Sequence, residues 1–464
     1  MRFNSLEFLV FAALFFLIWR YVKRNQSARW LWIMLMSSVF YGWWEWSYLW
    51  LLFVSGGIDF VSAWWIESFP RHRKKLLFFS MASNLGILGF YKYSAFAAEN
   101  LNVLLQPLSL QVPIVNYALP IGISFYTFQS MSYTIDVYRG ECKATRNILH
   151  FFAGLMLFPQ LVAGPILRAR DILPQLEPEP VPPDEQKRFE GLALIAHGYF
   201  KKVVIADNLA PTVTAAFGAH GLGVIESSAY WWAIMAMFAF QIYCDFSGYT
   251  DIARGLAKWM GYDFALNFNH PYSAASIRDF WSRWHISLST WFRDYVYVPM
   301  GGSRTSPLRT HVNLWITMIL SGLWHGASWR FIIWGALHAA YVSLERVTDW
   351  PRRILSLPLG RFIAIAVVLV QVLVAWVFFR AESMAQATGI IRVMFSFVSA
   401  PHDSLQPALA FLLLGIGYET WMCVRVQPFM LRTKGWMEPA GVACLLVAAV
   451  FFRGHGQNFI YFQF

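Results

Sequence analysis

Charge is what this sequence has least of. Only 14% of its 464 residues are Asp, Glu, Lys or Arg, against ~25% in a typical soluble domain. A water-facing surface is not built from so few, and with 57% hydrophobic residues the apolar excess must face lipid. Acidic residues are the scarcer sign, 26 against 37 basic ones, for a net charge of +11. Cysteine is sparse too: Cys142, Cys244, Cys423 and Cys444 are scattered without metal-ligand spacing and read as packed thiols. The opening segment lacks a strongly basic start and a small-residue cleavage site, so residues 4–18 read as a retained first helix and not a signal peptide. No internal repeat is present, and the proline-rich stretch 171–188 is the one low-complexity tract.

What is abundant is apolar sequence in long runs. At ~20 apolar residues per crossing, the runs near 4–19, 30–44, 48–68, 76–98, 117–138, 229–257, 362–379, 405–424 and 438–452 are candidate spans. The expected class is an all-α polytopic membrane protein, a single embedded domain over 1–464 with roughly 11 crossings. Basic clusters orient it. Arg20, Lys23, Arg24 and Arg29 follow the first run, and Arg71, Arg73, Lys74 and Lys75 the third. Short loops rich in Lys and Arg stay cytoplasmic, which places 99–116 and the tail 454–464 outside. The same clusters point to a lipid partner and not to nucleic acid. Residues 148–165, basic on both flanks, are expected to dip in and return. Residues 171–188 are expected to be a cytoplasmic loop without a core, and Lys201 and Lys202 to lie near the inner interface. The polar, aromatic region 262–310 is too charged to span, so interfacial or re-entrant helices fit it best.

Two histidines stand out, 40 residues apart: His285 in the polar aromatic region and His325 in apolar sequence. Ionisable groups at membrane depth are costly, face a bundle interior or cavity, and are functional candidates by default. Imidazole exchanges protons near physiological pH and suits a general base. A hydrogen-bonded structural histidine is the plain alternative, a haem would need paired axial histidines, and no metal-ligand set is evident. Spacing alone does not choose. Asp245 and Asp251, on an apolar helix, are expected to pair with arginines, the common reason for buried carboxylates.

Longer motifs do choose. Arg278-Asp-Phe-Trp-Ser-Arg-Trp-His285-Ile-Ser-Leu-Ser-Thr-Trp291, Tyr297-Val-Pro-Met-Gly-Gly302 and Ser321-Gly-Leu-Trp-His325-Gly-Ala closely resemble the membrane-bound O-acyltransferase family, within it the bacterial alginate O-acetyltransferase branch. Leu119-Pro-Ile-Gly-Ile-Ser-Phe-Tyr-Thr-Phe-Gln129, Phe158-Pro-Gln-Leu-Val-Ala-Gly-Pro165 and Tyr243-Cys-Asp-Phe-Ser-Gly-Tyr-Thr-Asp251 agree with it. The resemblance implies a helical bundle around a central cavity, in the bacterial inner membrane. It implies transfer of acetyl from cytoplasmic acetyl-CoA, a substrate and not a bound cofactor, toward an exopolysaccharide such as alginate. The last step would fall to an extracytoplasmic acetyltransferase subunit. D-alanyl or peptidoglycan acyl transfer are alternatives inside the family, and a transporter is the alternative outside it.

By the same resemblance His325 is the acyl-transfer base and His285 assists it. The ending Phe459-Ile-Tyr461-Phe-Gln-Phe464 is similar to an aromatic C-terminal motif of the family, whose tyrosine serves as an acyl relay. Arg278, Arg283 and Arg293 are expected on the donor side, where guanidinium groups suit coenzyme A phosphates, although arginines there also anchor helices at headgroups. Trp284 and Trp324 are expected to line the cavity.

Overall fold

The structure, a computed structural model, describes residues 1–161, 164–220, 227–399, 405–429, 436–454, 456–457 and 459–460. Among them it is helical throughout, with no strand, as expected where lipid offers backbone amides no hydrogen bonds. Helix α1 (Leu6–Val22) shows why these helices belong in a bilayer. It buries Phe8, Phe11, Phe15 and Trp19 at helical spacing, yet Leu6, Leu9, Val10, Leu14 and Leu17 on its other sides are exposed. A helix apolar on every side has no water-facing surface.

Among the described residues three helical stretches are long and apolar enough to cross a membrane: Trp46–Ser68, Gly360–Arg380 and Gln406–Val424. Several others carry buried charge that lowers their apolar count, the 33-residue helix Ser228–Met260 with Asp245 being the longest of them.

The chain forms two compact units. The first comprises Met1–Ile195 and Ile252–Ala265. It includes α2 (Gln26–Gly42), and in it α3 (Leu49–Ser68), α4 (Arg73–Leu88) and α5 (Ile123–Arg139) pack around Asp59, which is fully buried. Its carboxylate accepts from Ser80, Ser130 and the Asn84 amide, the last at 2.8 and 2.9 Å. The expected dip at 148–165 is a short helix, α6 (Ile148–Met156), broken at Leu157. The loop expected from residue 171 begins later. Ala169–Leu176 is a helix, α7, that buries Ile172, Leu173 and Leu176, and the Leu173 carbonyl lies 2.9 Å from Nε2 of His150. Leucine and isoleucine at helical spacing outweighed Pro174 within the helix and the prolines that follow. In the loop between α5 and α6, burial pushes the Cys142 thiol up to about 12, which suits a packed thiol and not a reactive one.

The second unit comprises Ala196–Asp251 and Leu266–Phe464. A π-helical segment, Phe200–Ala206, leads into α8 (Asp207–Ala219), followed by α9 (Ser228–Met260). Short helices α10 (Ile277–Arg283) and α11 (Ile286–Phe292) occupy the polar aromatic region, which forms no long helix, as its charge required. The hairpin of α12 (Pro307–His325) and α13 (Trp329–Thr348), with α14 (Gly360–Arg380), completes the core described here. The hairpin is held by glycines. A Cβ on Gly322 would lie 2.1 Å from the Phe331 carbonyl oxygen, and one on Gly335 2.3 Å from that of Met318. Small residues let helix backbones approach this closely.

Gly335→Val should therefore destabilise the protein by about 3 kcal/mol, the upper end of the overpacking range. Gly417→Ala, with open space around it, should change little. Thermal unfolding of the two variants in detergent checks the contrast; equal melting temperatures would refute it.

Candidate active site

Backbone geometry sets the first histidine. His285 links α10 to α11 in the left-handed region, at φ 43° and ψ 54°, a conformation uncommon for non-glycine residues and found where the surroundings enforce it. Asn267 does the enforcing. Its carbonyl accepts the Ile286 amide at 2.9 Å, and its side-chain oxygen accepts the Ser287 amide at 3.1 Å and hydroxyl at 2.8 Å. The same oxygen lies 3.2 Å from Nδ1 of His285. Because a backbone N–H can only donate, Oδ1 of Asn267 is an acceptor, so Nδ1 of His285 carries the proton. The lone pair is then on Nε2, the nitrogen able to act as base.

The second histidine ends a helix. His325 is the last residue of α12, and the chain then turns to extended backbone at Gly326. Its ring meets the edges or faces of Trp324, Trp334 and Phe379, with centroids 4.9, 5.0 and 5.1 Å away. Trp324 also lies 6.1 Å from His285, so one indole touches both imidazoles. Of the residues singled out from sequence, His285 and His325 thus meet on Trp324. Trp284, the other tryptophan named there, is buried against Phe268, Phe280 and Trp376.

Another buried histidine beside these two was not foreseen. His338, on α13, packs on Trp281 and on Trp334, 4.8 Å away, whose indole it shares with His325. Its position four residues after Trp334 in an apolar helix was the available signal, the same one that marks His325. His270, also left-handed at φ 48°, meets Glu419 at 2.7 Å, and the Tyr243 hydroxyl donates to the same carboxylate at 2.9 Å.

The three arginines are each paired with a carboxylate. Arg278 bridges to buried Glu345, which also accepts the Ile277 amide at 2.7 Å and so fixes the start of α10. Arg283 meets Asp279 at 2.7 Å across one helical turn, and Arg293 meets its neighbour Asp294 at 2.6 Å. Tyr461 lies outside the described residues. Among the described residues no group of three His, Cys, Asp or Glu side chains could hold a metal.

The arginine partners expected for the two aspartates are lysines instead. Lys201 meets Asp251 at 2.6 Å, and Lys202 meets Asp245 at 2.7 Å and Asp207 at 2.9 Å. Both lysines are buried, not laid at an interface as expected. The dense carboxylates of α8 and α9 draw them inward, since a charge in an apolar interior needs a counter-charge.

Known proteins match this chain strongly. A sequence model of the membrane-bound O-acyltransferase family matches residues 143–387, a span that includes all three histidines. The probable alginate O-acetylase AlgI of Pseudomonas aeruginosa is 40% identical over 387 residues, 81% of this chain and 72% of that protein. The corresponding protein of Azotobacter vinelandii is 41% identical over 370 residues, 78% and 71% of the two chains. A peptidoglycan O-acetyltransferase of Helicobacter pylori is 33% identical over 414 residues, 82% and 76%.

Replacing Asn267 by Leu keeps the volume but strips the acceptor from Ser287 and His285. An unsatisfied buried donor costs roughly 1–3 kcal/mol, so Asn267→Leu should lower the unfolding free energy by about that much, and Asn267→Asp by less. Chemical denaturation in detergent measures both; equal losses would show that the side-chain oxygen is not what holds this turn.

Proposed function

The chain belongs to the membrane-bound O-acyltransferase family, and from that premise we propose that it takes acetyl from cytoplasmic acetyl-CoA and passes it across the bacterial inner membrane for O-acetylation of an alginate-like exopolysaccharide. That it is a membrane O-acyltransferase follows from the family itself. The observation that carries the finer reading is the meeting of His285 and His325 on Trp324, inside the stretch that the family model matches. The acceptor class comes from the similarity to alginate O-acetylases, which is higher than that to the peptidoglycan enzyme.

Chemically, a hydroxyl oxygen attacks the acetyl carbonyl while an imidazole nitrogen takes its proton. The C–S bond breaks as the C–O bond forms, and the proton passes to the departing thiolate. His325 is assigned as that base and His285 as its assistant. Arg278, Arg283 and Arg293, each steadied by a carboxylate, receive donor phosphates on the cytoplasmic side. Tyr461 is assigned as an acyl relay on the far side: its phenol oxygen takes the acetyl, then yields it to an extracytoplasmic subunit that acetylates the polymer. Roughly 11 crossings and a central cavity complete the arrangement.

His325→Ala should reduce polymer acetylation by at least about 1,000-fold, within the range for removal of a general base, while leaving the protein folded in the membrane. Normal acetylation by that variant would sink the assignment. Tyr461→Phe, which lacks only the phenol oxygen, should be equally inactive, and mass spectrometry of protein trapped with acetyl-CoA should find acetyl on Tyr461. Retained activity in that variant would leave direct transfer from the thioester as the mechanism.

A further inference from the structure

Lys202, Asp207 and Asp245 are each almost wholly shielded, and together they place two carboxylates around one ammonium. Each buried charge costs several kcal/mol to desolvate, and charge balance with Lys202 needs only one of the carboxylates. The second has another use. Oδ2 of Asp245 accepts the backbone N–H of Ile460 at 2.7 Å, while Nζ of Lys202 donates to the carbonyl of Gln457 at 3.3 Å. The ion cluster therefore grips the main chain of a segment more than 200 residues further along.

Nearby groups extend that grip. The π-helical turn Phe200–Ala206 leaves the Val203 carbonyl available to the Gly454 amide at 3.0 Å; such turns are rare and gather at functional sites. The Asn208 side chain donates to the Phe452 carbonyl at 2.9 Å. Gly454 lies so close that a Cβ there would be 2.7 Å from the carbonyl carbon of Asp207. At the end of the segment, Phe459 is fully buried between Phe246 and Tyr249, at 5.5 and 4.7 Å. Phe246 in turn touches His285 at 4.6 Å. One phenylalanine ring separates the gripped segment from the site histidine.

We propose that Lys202 and Asp245 are positioning residues for acyl transfer: they clamp the main chain at Gln457 and Ile460 and so hold Phe459 against Phe246, the ring that packs on His285. The idea rests on the reading in which this chain transfers acetyl with His285 assisting. The clamp grips backbone and not side chains, so it sets the depth and register of the segment without depending on which residues it carries. Removing Asp245 leaves Lys202 balanced by Asp207 alone, a neutral pair that the interior can hold.

The test uses the full chain in membranes with Ile460→Cys as a reporter, against the same protein without that cysteine. Maleimide should label Cys at 460 slowly in the parent and about tenfold faster after Asp245→Ala or Lys202→Met, because the segment is then released. In the same variants turnover should fall roughly 10- to 100-fold, as for a misplaced reacting group, with the KM for acetyl-CoA within about twofold of the parent. Asp245→Asn, whose carboxamide oxygen can still accept the Ile460 amide, should restore both shielding and turnover; a role confined to buried charge would treat Asn and Ala alike. Should Asp245→Ala not accumulate, Gly454→Val releases the segment from its own side and must give the same two effects. Shielding unchanged in the released variants, Asn no better than Ala, or full turnover with the segment free would each overturn the clamp. Failure of the relay reads differently: Tyr461→Phe would transfer normally while Asp245→Ala still freed the segment and slowed turnover.

Discussion

Hydrocarbon offers no hydrogen bond to an unpaired amide and no solvation to an unpaired charge. Most of this chain meets that constraint simply by being helix. Where the helix stops, the protein must supply every partner itself, and those places include the surroundings of both histidines. The turn at His285 is satisfied by Asn267, the widened turn at Phe200–Ala206 by the segment ending at Ile460, and the break after His325 by glycines that bring two helices into contact. Irregular backbone is expensive here, and it is found around both histidines.

Aromatic rings do the remaining work. Trp324 and Trp334 form a chain His285–Trp324–His325–Trp334–His338, with each indole shared by two imidazoles. The indole face and edge fill space without bringing water, and they hold each imidazole from several sides. An imidazole kept this way has a fixed orientation.

Much of this was legible from residues alone. An apolar surplus too large for water, the missing strands and the two histidines follow from composition and motif, because those signals are local and repeated. The pairing of Asp245 and Asp251 was not, because burial of a carboxylate says that a cation is near but not which one. Lys201 and Lys202 resembled interfacial anchors, since Asp251 and Asp245, which draw them inward, lie some 40 residues or more away on another helix. Asn267 and His338 were silent for a related reason: an asparagine that props a turn, or a histidine sealed among tryptophans, shows its role only once the chain is folded. The helix Ala169–Leu176 was hidden by the prolines around it, although its apolar spacing was present in the sequence.

The glycine contact between α12 and α13 has a bearing on motion. With Gly322 and Gly335 set against the facing backbones, no side chain lies between the strands of the hairpin at that level to re-pack or hop between rotamers. Such a joint lacks the slack that sliding helices use. The hairpin therefore keeps its shape, and His325 keeps its place between Trp324 and Trp334, one on each of its two helices.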